Sequence, residues 1–586
     1  MIILKHLGWF FKQEKKSYGI GLVALLSISI LSVIPPRIMG LMIDIMAEQS
    51  LTPQLLILGV SAFVFIALMM YALRYIWRIF IFGTSFRLEN QMRNTIFKHL
   101  TRMSSAFYQK RRSGELMALA TNDLTAIQNV AGRGVLQLFD SLFSGITVLL
   151  AMFFSVNMKL TLIAILPMPL LIIASQYLSK KLHKTYHVAQ EAFSDMNNRV
   201  LENINGIKVT KTFGQEDNEI KRFSKLADDV YQKNLNVTRW DALFDPVIIM
   251  ISSLSIFLSL VAGSYLIMND EMSAGDLVTF VNYIYQLNWP MMAIGFMFNT
   301  MNRGLVSYER IETLLSVNPD ILNLKDSLNE IPSGDISFNV ESFQYPNQEE
   351  GINLNNVQFN LLRGETLGIV GKTGSGKSTI IKLLLREFDE YEGAISFGNT
   401  PAKEYNLYNY RDAFGYVPQD PFLFSMSIAD NIRFGMPEVS LERVREAARI
   451  ADVDADIMDF ELQYETVIGE RGVSLSGGQK QRIAMARAIL LNPECLILDD
   501  ALSAVDARTE EIILRNLREV RQDKTTIIIA HRFSALSHAH HILVLEDGNV
   551  VQRGNHHELL ANDGWYGQIY NLQQLSQIGG EPLETD

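Results

Sequence analysis

The sequence predicts an α-helical membrane domain followed by a cytoplasmic α/β domain, and three observations lead there. Apolar stretches long enough to cross a bilayer fall only within about the first 305 residues. From about residue 335 short strands alternate with helices, and a Gly-rich loop joins one such pair over residues 371–379. The composition agrees: 48% of the 586 residues are apolar, and the mean hydropathy of +0.11 is high for a soluble protein.

Six stretches carry the membrane reading, near Tyr18–Ile43, Leu55–Tyr75, Val135–Val156, Leu160–Leu178, Phe244–Met268 and Leu277–Met301. The three short loops between them, around residues 47–53, 157–159 and 269–276, hold one basic residue, Lys159. The two long loops, roughly 76–134 and 179–243, hold Arg87, Arg93, Lys98, Arg102, Lys110, Lys180, Lys184, Lys208 and Lys211 among others. The positive-inside bias therefore puts the long loops and both termini in the cytoplasm, with the spans in the plasma membrane. Lys5, Lys12, Lys15 and Lys16 precede a span longer than a signal-peptide core, without a small-residue cleavage site, so the first span is expected to stay.

The expected organisation is a membrane domain over residues 1–318, a polar linker over 319–334 ending at Pro332 and Gly334, an α/β domain over 335–575, and a disordered tail over 576–586. The net charge of −11 is spread along the chain, and no concentrated basic face is visible, which excludes nucleic acid as a partner. The single cysteine, Cys495, lies in an apolar run; a disulfide framework and a thiol-rich metal site are both excluded.

Residues 367–370 form an apolar strand running into Gly371, and a helical run follows from Ser378. In that strand-loop-helix context Gly371, Gly374 and Gly376 let the amides of the loop, with those of Thr373 and Ser375, close around phosphates. Lys377 reaches the β- and γ-phosphates, the Ser378 hydroxyl ligates Mg²⁺, and Thr379 continues the helix N-terminus that favours anions. Residues 495–498 read as a second buried strand, ending in Asp499, a carboxylate placed for the metal's water shell beside Ser378. ATP and Mg²⁺ are the expected ligands.

With Tyr345, Gln419, the run Leu475–Gln479 (Leu-Ser-Gly-Gly-Gln), Ser503 to Asp506, and His531 in that order after the strand-loop-helix, most of residues 335–570 resembles the ATP-binding cassette. The resemblance implies that Tyr345 stacks on adenine, that Gln419 senses the metal and couples to the membrane domain, and that His531 contacts the γ-phosphate. It also implies that Ser476, Gly477, Gly478 and Gln479 grip a nucleotide held by a second cassette, and that Asp506 is among the nucleotide-binding residues. One chain thus holds one half of each of two sites. The six spans with long basic loops, joined to one cassette, resemble the type 1 exporter fold of this family, in which the loops dock on the cassettes. Residues 112–116 leading to 121–123 match the first docking segment, residues 205–208 through 213–216 the second, and Ser307, Arg310 and Ile311 the exit of the last span.

The departure is Asp500, where the family usually has Glu to polarise the attacking water. Asp and Glu have similar intrinsic acidity, so the loss is geometric: one methylene, of order 1 Å, costs about a hundredfold in rate. Binding survives because Lys377, Ser378 and Asp499 are intact. The chain thus resembles the degenerate half of a heterodimeric multidrug exporter, with a second half-transporter as partner; a homodimer in which Asp works passably is the alternative.

The membrane domain offers less. Arg74 and Arg78 read as snorkelling cations, while Asp140 and Asp245 face a cavity or a partner. The last span mixes Asn282, Gln286, Trp289, Met291 and Met292, an adaptable surface for hydrophobic or cationic amphipaths. The expected partners are such compounds, membrane lipids and the second subunit; a lipid or peptide exporter and an ATP-gated channel or regulatory subunit are the competing readings.

Overall fold

A computed structural model describes residues 2–579 except 322, 325, 347–352, 470–474 and 563. The chain divides into two compact units: residues 1–101 with 111–317, and residues 102–110 with 318–586.

The first unit is a bundle of long helices. Five, Lys15–Ala47, Pro53–Leu100, Ser113–Val156, Met158–Asn205 and Glu216–Met268, are long and apolar enough to cross a membrane among the described residues. The sixth expected span is the helix Ala274–Leu315, whose amides and charges dilute its apolar content. At about 1.5 Å per residue a 48-residue helix is about 70 Å long, more than twice the hydrocarbon thickness, so the long basic loops are largely helical continuations of the spans. Helix starts follow local chemistry. Thr52 accepts from the Leu55 amide with Pro53 in the first turn, Asn157 accepts from the amides of Lys159 and Leu160, and Ser273 forms a reciprocal capping box with Asp276. The first span is interrupted at Val33, just before Pro35 and Pro36, which lack the amides a continuous helix needs.

Inside this unit Asp123, at the end of a wide helical turn over Leu119–Asp123, meets the last helix. It accepts from Ser307 Oγ at 2.7 Å and faces Arg310 Nη1 at 2.9 Å, joining two segments singled out from sequence. Asp140 accepts from Trp289 Nε1 at 3.2 Å, and the Arg78 guanidinium lies 5.7 Å from the centre of the Trp77 ring. Asp245 is exposed in the first turn of Phe244–Met268.

Among its described residues the second unit holds ten strands: β1 (Ile336–Phe343), β2 (Leu354–Leu361), β3 (Thr366–Gly371), β4 (Glu392–Phe397), β5 (Thr400–Pro401), β6 (Phe414–Val417), β7 (Cys495–Asp499), β8 (Thr525–Ile529), β9 (His541–Glu546) and β10 (Asn549–Gly554). An antiparallel sheet runs β2-β1-β4-β5; a larger sheet runs β10-β9-β3-β8-β7-β6, parallel except for β10. Strands of the parallel sheet are buried on both faces, as crossover helices require. Along β7, Leu496 and Leu498 enter one apolar core while Cys495 and Ile497 enter the other. Burial pushes the Cys495 thiol up to about 12. Native protein at pH 8 is therefore expected to resist maleimide and to be labelled only after denaturation; labelling of the folded chain at the rate of free cysteine would contradict this burial.

Two expectations change. The part of the first long loop that belongs to the cassette unit is residues 102–110, with Ala106 buried among cassette residues, rather than residues 112–123, which begin a membrane-unit helix. Ala106 and Phe107, on the short helix Ser105–Lys110, are the buried positions there. The helix Trp565–Gly579 also runs past Ser576, the expected start of the tail, because the first Gly pair comes only at 579–580. Residues 580–586 lie outside the described residues.

Candidate nucleotide site

The parallel sheet explains why the site sits at one edge. β3 and β7 both end there, β3 turning into the loop at Gly371 and β7 delivering Asp499, with β8 hydrogen-bonded between them. Thr373, Gly374, Ser375 and Gly376 complete the loop and Lys377 opens the helix Lys377–Leu384. Gly376 has φ +101, and a Cβ there would come within 3.0 Å of Asn353 O and Leu354 Cδ2, so only glycine fits.

Lys377 is 7% exposed and donates to the carbonyls of Gly371 and Lys372, each at 2.8 Å. Burial holds its ammonium below the ordinary lysine pKa, opposed by the charges of Asp499 and Asp500. Ser378 Oγ donates to Asp499 Oδ1 at 3.2 Å, and the Tyr416 hydroxyl donates to Asp499 Oδ2 at 3.3 Å. Burial raises the Asp499 carboxyl, opposed by these two hydrogen bonds. A hydroxyl and a carboxylate on adjacent elements are hard oxygen donors of the kind Mg²⁺ takes, so the residues fit that ion.

Asp500 follows at φ +50, its amide bonded to Ile529 O at 2.9 Å, which fixes the direction in which its short side chain leaves the backbone. Its Oδ2 accepts from Gln419 Nε2 at 3.4 Å. His531 lies two residues beyond β8 at the same sheet edge, exposed, its carbonyl accepting from Gln573 Nε2 at 2.8 Å. Tyr345 is half-buried, edge-on to Phe343 and Phe388, and its hydroxyl lies 3.1 Å from Thr379 Oγ1, which fixes the ring beside the loop.

Ser476 caps the helix Gly477–Leu490, accepting from the Gln479 amide while the Gln479 side chain accepts from the Ser476 amide. The first helical residues, Gly477 and Gly478, thus present their amides at a helix N-terminus. Asp506 caps the helix Ala507–Val520, where Oδ1 accepts from the amides of Arg508 and Thr509 and the carboxyl is held below its ordinary range by those bonds. Two residues were missed from sequence. Tyr416 is one. The other is Gln481, 5% exposed, whose amide bonds Gln419 O, Ser503 Oγ and the Ala504 amide at 3.4, 3.3 and 3.1 Å, tying three segments of the site together.

Comparison with known proteins agrees with this geometry. Residues 18–291 match the ABC transporter transmembrane region and residues 354–503 the ABC transporter family. The chain is 42% identical over 573 residues to a probable multidrug resistance ABC transporter ATP-binding/permease protein, YheI, of Bacillus subtilis, covering 98% of each chain. It is 42% identical over 578 residues to the multidrug resistance-like ATP-binding protein MdlA of Escherichia coli, covering 98% of this chain and 97% of MdlA. A solved bacterial Atm1-family ABC exporter with ATP bound superposes with TM-score 0.79 at 25% identity, over 95% of this chain and 99% of that one. The chain belongs to the ABC transporter family of ATP-hydrolysing membrane exporters, as a multi-pass transmembrane region fused to one cytoplasmic cassette.

Proposed function

We propose that this chain is one subunit of a two-chain efflux transporter for hydrophobic or cationic amphipathic compounds, and that its own phosphate-loop site holds ATP but cleaves it slowly. The observation that carries this is Asp500. Its backbone is pinned to β8 in a left-handed conformation, so the missing methylene is not made up by moving the chain, and its carboxylate is met by Gln419. Lys377 supplies positive charge to the phosphates, Ser378 and Asp499 hold Mg²⁺, and Tyr345 takes the base. Bound Mg²⁺ neutralises phosphate charge. Ser476 and the amides of Gly477 and Gly478 complete the partner's site, where hydrolysis proceeds.

The hydrophobic part of the substrate class is supported by a cavity of about 510 Å³ in the membrane unit, lined by Phe63, Met70, Tyr285 and Trp289 with Arg74, Asn282 and Gln286 as polar points; the acid bonded to that lining is Asp140, which accepts from the Trp289 indole. The multidrug names of YheI and MdlA point the same way. The experiment is turnover by the purified chain alone. It is expected to bind ATP yet hydrolyse it well below the roughly 1 s⁻¹ floor of ordinary enzymes, and Asp500→Glu is expected to raise the rate about 10- to 100-fold. Brisk hydrolysis by the unaltered chain alone, unchanged by Asp500→Glu, removes the two-chain reading.

A further inference from the structure

The cassette has a second pocket, at the sheet edge opposite the phosphate loop. Thr366 and Thr526 lie at the beginning of β3 and β8, the ends away from Gly371, and both line a cavity of about 260 Å³. That volume is near the lower end of small-molecule sites, about 300–1,000 Å³. Its charged lining has one sign: Arg518 and Arg521 are present, with His538 and His540 beside them, and no Asp or Glu is among the lining residues. Leu517 and Ile528 give it an apolar wall.

Arg521 makes the imbalance physical. It is 6% exposed, and its Nη2 donates only to the carbonyls of Pro493 and Thr525, at 3.1 and 2.9 Å. Its Nε has no acceptor, and no carboxylate pairs with it among the described residues. Glu494 is the acid whose charge it feels, but that carboxylate pairs with Arg363 at 3.0 Å and Lys524 at 3.4 Å. A guanidinium removed from water against neutral carbonyls is an uncompensated charge.

The neighbours add to it. Arg518 is exposed, has no ion-pair partner among the described residues, and donates through Nε to Leu514 O at 3.3 Å. His540 Nδ1 accepts from the Thr366 amide at 2.9 Å, so its Nε2 remains as a donor. Burial, and after it the Arg518 charge, hold His538 below the ordinary histidine range. The nucleotide site, by contrast, sets Lys377 against two carboxylates.

We propose that this pocket binds a small amphipathic anion, a carboxylate or phosphate monoester on a compact apolar body, with the charge against Arg518 and Arg521 and the body against Leu517 and Ile528. The site is independent of the reading of Asp500. Phenyl phosphate is a probe with both features; inorganic phosphate lacks the apolar body, and benzylamine carries the opposite charge.

Binding is measured by saturation-transfer NMR on the full chain in lipid nanodiscs, against empty nanodiscs, with the phosphate loop filled by a non-hydrolysable ATP analogue. Phenyl phosphate is expected to bind with Kd of about 1 mM or tighter, and inorganic phosphate and benzylamine about tenfold or more weakly. Arg518→Gln is expected to weaken phenyl phosphate about tenfold, while Arg443→Gln, at an exposed arginine outside the pocket, leaves it unchanged. Arg518 is a surface residue, so the variant should fold; its thermal unfolding is checked alongside. Displacement of phenyl phosphate by the ATP analogue, equal binding of benzylamine, insensitivity to Arg518→Gln, or no binding at about 20 mM overturns the assignment.

Discussion

Arg386→Met is expected to destabilise the cassette by about 3 kcal/mol, lowering its calorimetric transition by about 6–10 °C. The helix that follows the phosphate loop ends with two reversed bonds, Glu387 N to Lys382 O at 2.8 Å and Arg386 N to Leu383 O at 3.0 Å. This ending puts Arg386 at φ +52, where glycine is the ordinary choice. An arginine stands there because its guanidinium is used. Only 2% exposed, it donates to the carbonyls of Ala402 and Tyr405 at 2.9 and 3.1 Å and forks onto Asp389 at 3.2 and 2.9 Å. Met fills the volume but leaves two carbonyls and a carboxylate without their donor.

Graded variants separate the contributions. Arg386→Lys keeps the charge and loses the fork, so it should fall between wild type and Met. Arg386→Gly should be about 1 kcal/mol less damaging in backbone terms, offset by the larger void. Adding Asp389→Asn to Arg386→Met should recover about 1 kcal/mol by neutralising the stranded acid, which is 19% exposed and so partly hydrated already. A Met variant within about 0.5 kcal/mol of wild type would show that the clamp is ornamental.

That clamp was invisible in the sequence because two of its acceptors are backbone carbonyls, of Ala402 and Tyr405, which no residue type marks; other contacts were hidden by separation along the chain. The spans, the phosphate loop and the strand ending at Asp499 were legible because each is made by neighbouring residues: an apolar run, successive amides at a helix start, a strand followed by its carboxylate. Tyr416 reaches Asp499 across 83 positions, Trp289 reaches Asp140 across 149, and Gln481 reaches Gln419 across 62. No local pattern announces such pairs.

Two local signals were present and read for function alone. Ser476 followed three residues later by Gln479 is a capping-box spacing, and the structure forms that box in the same residues expected to grip the partner's nucleotide. Asp506 before Ala507 and Arg508 is an N-cap position, and its Oδ1 accepts two amides there. Charge marked residues 112–123 in the sequence, whereas the buried positions of the neighbouring short helix, which belongs to the cassette unit, are the apolar Ala106 and Phe107.

Gly275→Val is expected to be the most damaging substitution in the membrane unit, on the order of 3–5 kcal/mol, from overpacking plus a lost helix cap. The second half of the first span, Ile34–Ala47, crosses the start of Ala274–Leu315 at Gly40 and Gly275. A Cβ on Gly275 would press well inside 3.0 Å of Gly40 O and of Asp44, and one on Gly40 would do the same to Gly275 O and Thr279. Backbones this close occur only between small residues. The approach brings Asp44 over the N-terminus of the last helix, where it accepts from the Gly275 amide and Ser273 Oγ, each at 2.7 Å, beside the Arg37–Asp276 ion pair. An acid at that end is favoured by the unpaired amides and the helix dipole. Valine pushes the two helices apart and withdraws Asp44 from those amides, so packing and cap are lost together. Gly275→Ala should cost less than Val, and Asp44→Asn, which keeps the shape and removes the charge, about 1 kcal/mol. The measurement is thermal unfolding of the detergent-solubilised chain. If Gly275→Val and Gly275→Ala both melt with the wild type, the crossing is looser than the carbonyl contacts require.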